Sequence, residues 1–139
     1  MYPFSRYARR KRKGAAVVEL AAVSPLFVLL ILGMIEYGRL VMVQQILTNA
    51  AREGARVGIL DNRTASDVTT AANQYLAAAN IQTATISVSP DPPSSAANGN
   101  PVTVTISVPF NQVSWLPSPM FLGGTTMTTT ATMRRETIQ

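Results

Sequence analysis

The sequence predicts an α+β protein: a long N-terminal helix apolar enough to cross a membrane, then a small outer domain with a second helix and an antiparallel sheet of about three strands. Three observations predict it. Residues 15–35 form an apolar run, residues 36–59 continue at helical periodicity without proline, and after residue 80 the pattern changes to alternating β-branched residues and threonines. The resulting organisation is a basic leader over 1–14, a long hydrophobic, transmembrane helix over 15–60, and an outer domain over 61–139.

The apolar run, Ala15 to Ile35, is 21 residues long and is interrupted by Glu19, Ser24 and Pro25. A helix of about 20 residues spans a hydrocarbon core, so one pass is expected. Of the 139 residues, Arg6, Arg9, Arg10, Lys11, Arg12 and Lys13 supply six positive charges against a net +5, which leaves −1 for the remainder. The high pI therefore belongs to the leader. Basic residues stay on the cytoplasmic side, which places the N-terminus inside and residues 40–139 outside, with Tyr37 and a snorkelling Arg39 at the outer interface. A secretory signal peptide is the competing reading, but its apolar region is shorter, about 7 to 15 residues, and ends at an A-x-A site that this run lacks.

Beyond Ile35 the helix is expected to continue. Leu40, Val43, Ile46, Leu47, Ala50, Ala51, Gly54, Ala55 and Gly58 recur near a 3.6 period. A continuous helix from Ala15 to Leu60 would be about 69 Å long. Pro25, which lacks an amide proton, is expected to kink or locally melt it. Ala50, Gly54 and Gly58 form a ridge of small residues where helix packing is close, either against another helix or against the chain's own domain. Glu36 with Arg39, and Glu53 with Arg56, are i,i+3 pairs expected to be solvated. Glu19 is the charge within the apolar run. Either it pairs with a partner, because an ionised group deep in a bilayer costs at least about 2.5 kcal/mol, or it sits shallow and snorkels toward Arg12 and Lys13.

In the outer domain, T-A-S-D at 64–67 is a helix start, capped by Thr64 or Ser66. The second helix extends to about Asn80 and buries Val68, Ala72, Tyr75, Leu76 and Ala79. Three strands follow, with Ala84, Ile86 and Val88 on the inner face of the first, Val102, Val104, Ile106, Val108 and Phe110 on the second, and Met127, Thr129, Ala131 and Met133 on the third. One face of the sheet is wet and the other packs on the helices. Residues 89–101, with several prolines and the Asn98-Gly99 turn signal, make a long mobile hairpin loop. A second loop carries Trp115, Leu116, Met120 and Phe121, which either tuck over the sheet edge or remain exposed as a contact surface.

The chemistry implied is structural. There is no cysteine and no histidine, which removes disulfides, thiol catalysis, imidazole acid–base chemistry and zinc-finger spacings. The acids Glu53, Asp61, Asp67, Asp91 and Glu136 form neither a catalytic pair nor a calcium loop, and there is no Walker-type glycine loop. No enzyme activity, cofactor or metal is expected. Arg134 and Arg135 are too small a basic patch to imply nucleic-acid binding. Asn62-Arg63-Thr64 matches a glycosylation triplet that is common by chance.

The string GAAVVELAAVSPLFVLLILGMIEYGRLVMVQQILTNAAREGAR, residues 14–56, resembles the TadE-like family, pilin-related proteins of tight-adherence pilus systems. The likeness rests on Gly14 after basic residues, Glu19, Pro25, I-E-Y-G-R at 35–39 and N-A-A-R-E-G-A-R at 49–56, in order, over about a third of the chain. It implies a type IV pilin-like fold and prepilin processing between Gly14 and Ala15. The new α-amino group of Ala15, with an ordinary pKa near 7.7 to 8.0, would then pair with Glu19 of an adjacent subunit. Implied partners are copies of itself or other pilins and pseudopilins, a prepilin peptidase, and an inner-membrane assembly platform with a separate ATPase. Implied locations are the inner membrane before assembly and an extracellular pilus or periplasmic pseudopilus afterwards. Leu20 and Ala15 depart from the aromatic residues many pilins carry beside the glutamate or at the first mature position. The alternatives are a non-assembling membrane-anchored periplasmic scaffold and a tip adhesin.

Overall fold

The computed structural model describes residues 8–97, 99–117 and 119–135, with side chains from Gly14 onward. Expectations for leader residues 1–7, for the side chains of Arg9 to Lys13, and for Asn98 and Glu136 lie outside the described residues. The chain divides into two compact units, one through Ile35 and one from Glu36 onward. The predicted α+β architecture is present: a long apolar helix, a second helix and an open three-stranded antiparallel sheet.

Helix α1 spans Ala8–Gly58. Its first part, in the N-terminal unit, leaves its apolar side chains uncovered, among them Val17, Leu26, Phe27 and Met34. In length and composition this helix is sufficient to cross a membrane. Pro25 lies inside it, so the helix is not locally melted there, although the missing N–H deprives the Ala21 carbonyl of its usual partner. One residue earlier, the Ser24 hydroxyl donates to the Leu20 carbonyl at 2.6 Å.

In the second unit α1 buries one stripe: Val43, Leu47, Ala50, Ala51, Gly54, Ala55 and Gly58. Against it lies α2, Ala65–Ala78, which buries Val68, Ala72 and Leu76 at the four-residue spacing of one helix face. Tyr75, expected in the core, is 41% exposed. Because the stripe is centred on Ala72, a residue three positions later falls at its margin while Leu76 stays inside it.

The start of α2 is fixed by a reciprocal capping box. The Asp67 amide donates to the Thr64 hydroxyl at 3.2 Å, and the Thr64 amide donates to the Asp67 carboxylate at 2.9 Å. The Thr64 amide, then its hydroxyl, and then the charge of Arg63 hold the Asp67 carboxyl below its ordinary pKa. A carboxylate so shifted contributes stability above its unfolded pKa, near 3.9, and loses that contribution as pH falls through the lower folded value. Thr64→Ala removes the hydroxyl that caps the Asp67 amide and should destabilise the unit by about 1 kcal/mol at neutral pH. Thermal melts from pH 7 down to pH 2.5 should show the gap to wild type narrowing but persisting at the acid end, because the lost hydroxyl-to-carboxylate bond titrates while the lost cap on the Asp67 amide does not.

The sheet is a meander in the order β1-β2-β3, with β1 Thr85–Ser89, β2 Pro101–Pro109 and β3 Thr126–Arg134. Both pairings are antiparallel, with Ile86 opposite Ile106 and Ile106 opposite Thr129. Alternation alone decides the faces. Val102, Val104, Ile106 and Val108 are fully buried against the helices, with Met127 beside them, while on the other face Thr103 meets Thr132 and Thr105 meets Thr130 through hydroxyl hydrogen bonds. Phe110, expected on β2, is fully buried in the 3-10 turn that follows it.

The β1–β2 connection is not a free loop. Pro93 is buried in a 3-10 turn over Pro93–Ser95, and Arg135 holds the segment from the far end of the chain. Its guanidinium donates to the Ser94 and Ala96 carbonyls and to the Asp61 carboxylate, while its main chain bonds Gly99 and Asn100. Gly99 adopts φ +82°, a conformation that favours glycine.

Candidate functional site

The predicted assembly residues fall in both units. Gly14, Ala15 and Glu19 are exposed on α1, and a Cβ added at Gly14 would meet nothing within 4 Å. The small-residue ridge is placed differently. Ala50 is fully buried, and a Cβ at Gly54 would touch Val68, Ala72 and Val104 at 3.4 to 3.5 Å. At Gly58 it would meet Val102 at 3.0 Å and Val68 at 3.2 Å. The ridge is thus where α1 approaches its own α2 and β2, the second of the two packings its spacing allows.

The charged turn that follows the apolar run corrects an expectation. Glu36 and Arg39 were predicted as a solvated i,i+3 pair, with Arg39 snorkelling, yet they are only 1% and 8% exposed and bond elsewhere. Glu36 Oε1 accepts from the Leu122 amide at 2.8 Å, and both carboxylate oxygens accept from the Phe121 amide at 3.2 Å. Arg39 Nε donates to the Val113 carbonyl at 2.7 Å, and its guanidinium lies 4.8 Å from the centre of the Trp115 ring. Burial lowers the Arg39 pKa from its ordinary value, though a guanidinium stays charged in proteins. The two residues thereby grip both ends of the 113–122 loop from a single helical turn.

Main-chain groups win here because the Phe121 and Leu122 amides are partly withdrawn from water beside a nearly buried carboxylate. An N–H with reduced access to water needs an acceptor, and a carboxylate supplies a charge-assisted one. The signal was in the spacing: Glu36, Leu40, Val43, Leu47, Ala50 and Gly54 continue one stripe by steps of three and four, so Glu36 belonged to the covered face. Glu53 and Arg56, off that stripe, do form the expected exposed pair at 2.6 Å.

The loop between these anchors has two sides. Val113 is buried and Leu122 half-buried, whereas Trp115, Met120 and Phe121 are 63%, 54% and 64% exposed. The apolar cluster therefore does not tuck over the sheet edge. Among the described residues, every buried side-chain polar atom has a partner and no acid cluster is placed to hold a metal ion. The other acids bonded in the outer unit serve the fold, with Asp61 on Arg135 and Asp67 at the helix cap.

Comparison with curated proteins and with solved structures returned no match. A family model described as TadE-like protein matches residues 14–56, from Gly14 through the charged turn to Arg56. In its segment from Gly14 to Arg56, about a third of its length, the chain is similar to the TadE-like family.

Proposed function

We propose that the chain is a pilin or pseudopilin of a tight-adherence pilus, cut between Gly14 and Ala15 and assembled into or onto a filament through its N-terminal helix. The observation that carries this reading is the TadE-like match beginning at Gly14 on a helix that leaves Val17, Leu20, Leu26, Phe27, Leu30 and Met34 uncovered. Such a surface has two natural environments, lipid before assembly and other helices after it. Since Ala50, Gly54 and Gly58 are covered by the chain's own outer unit, residues 15–35 supply the assembly surface, with Pro25 as its point of bending. Glu19 is the charge on that surface. It pairs with the new α-amino group of Ala15 on a neighbouring subunit, because a dry helical core penalises an unpaired carboxylate.

The partners in this reading are other pilin-like chains, a prepilin peptidase, and a membrane platform whose ATPase supplies the work of assembly. A tip adhesin would need exposed aromatic and basic side chains together, and Arg135 is already engaged with Asp61. N-terminal sequencing of protein from sheared surface filaments and from membranes tests the proposal. Ala15 at the start of the filament pool is expected, whereas Met1 in every pool would favour a membrane-anchored scaffold. Glu19→Ala should insert into the membrane normally but be depleted from filaments. Incorporation at the wild-type level would remove the pairing argument.

A further inference from the structure

We propose that the 113–122 loop is a membrane-interface foot, which seats Trp115, Met120 and Phe121 among the headgroups and upper acyl chains of the phospholipid leaflet next to the folded unit. The inference rests on residues 15–35 spanning a bilayer, as proposed above, and adds to it a second contact made by the outer unit.

Depth is the first argument. The loop is tied to α1 at Glu36 and Arg39, through the Phe121 and Leu122 amides on one side and the Val113 carbonyl on the other. Glu36 immediately follows the last residue of the apolar run, and Arg39 is one helical turn, about 5 Å, beyond it. The headgroup region on each side of a hydrocarbon core is of similar thickness, roughly 5 to 7 Å. A loop clamped to that turn is held at interfacial depth whenever the run spans the core.

Composition is the second. Trp115 and Phe121 are aromatic and exposed, Met120 is exposed beside them in sequence, and Tyr37 on the clamped turn is exposed as well. Indole and phenol rings, apolar with a polar edge, concentrate at the interface of a bilayer. The clamp also removes the charge problem such a location would pose. The Glu36 carboxylate is occupied by two main-chain N–H groups, and the Arg39 guanidinium lies over the Trp115 ring. The loop thus presents its apolar side chains outward while the charges behind them are already partnered.

Trp115 is the chain's lone tryptophan and the chain has no cysteine, so the full-length protein carries its own probe and accepts a second. The protein is reconstituted at high lipid-to-protein ratio into phosphatidylcholine and phosphatidylglycerol vesicles containing lipids brominated at defined acyl depths. In parallel, a Leu26→Cys variant labelled with an environment-sensitive fluorophore reports on the span. Blue-shifted Trp115 emission, quenched more by shallow than by deep bromines while the residue 26 probe reports deep insertion, is the expected result. If residue 26 is in lipid while Trp115 responds only to aqueous acrylamide, the foot is wrong and the span stands. A Trp115 shielded from both bromines and acrylamide would mean a protein partner, such as a second copy, and would also overturn it. If neither probe reaches lipid, the spanning reading and the foot fall together.

Discussion

Gly58→Leu is expected to lower the melting temperature of the outer unit by at least about 12 °C, while Gly54→Ala leaves it unchanged or raises it. The two glycines look alike in sequence, yet their surroundings differ. A Cβ at Gly58 already stands 3.0 Å from a Val102 methyl and 3.2 Å from a Val68 methyl, with Pro93 at 3.9 Å, and all three neighbours are fully buried. A leucine adds three more carbons at a point where α1, α2 and β2 meet. Overpacking a well-filled core costs about 1 to 3 kcal/mol and occasionally more. Taking about 3 kcal/mol, and about 4 to 8 °C per kcal/mol for a unit near 100 residues, gives the stated shift and a large share of its whole stability. At Gly54 the added methyl would sit at ordinary contact distances of 3.4 to 3.5 Å, so the gain in helix propensity, about 0.8 to 1.0 kcal/mol, is set against little strain. Circular dichroism melts of the full chain in micelles would rank wild type, Gly54→Ala and Gly58→Leu. If Gly58→Leu melts like wild type and only filament assembly suffers, the ridge serves neighbouring chains and the intramolecular packing is wrong.

Most of what was legible in the sequence rests on periodicity, a local signal. The alternation Val102, Val104, Ile106, Val108 placed four residues on one face because successive strand side chains point to opposite sides, and all four are fully buried. Thr64 and Asp67, three residues apart, announced a helix start that the capping box confirms. What could not be read is non-local. Arg135 bonds Asp61 from 74 positions away, and Glu36 bonds Leu122 from 86, and neither local pattern names its partner. The pairing of Glu36 with Arg39 failed for another reason. An i,i+3 spacing makes two charges neighbours, but a pair worth a few tenths of a kcal/mol in water is outcompeted once that face is covered and main-chain groups must be satisfied. Gly14, Ala15 and Glu19 lie exposed on the helix, and the roles proposed for them concern other chains.

The covered charge makes the second large effect, expected at Glu36. Truncation in Glu36→Ala leaves the Phe121 and Leu122 amides without their acceptor and empties the space of a side chain only 1% exposed. Stranding a buried donor costs about 1 to 3 kcal/mol, and Phe121 lies partly open to water, so a total of about 3 kcal/mol is reasonable. For a unit of this size that lowers the melting temperature by about 12 to 24 °C. Glu36→Gln should fall between the two, since its carbonyl can still accept from Leu122 while its amide group faces Phe121 as a second donor. Arg39→Ala removes the other anchor. Because both residues hold one loop, the double variant should lose less than the sum of the singles, as expected for coupled sites. The emission of Trp115 reports the same event from inside the loop, since losing either anchor frees its ring from the guanidinium 4.8 Å away. If Glu36→Ala melted within about 2 °C of wild type with unchanged Trp115 emission, the carboxylate would not be holding the loop, and the chain would need another reason to bury a charge at the end of its apolar helix.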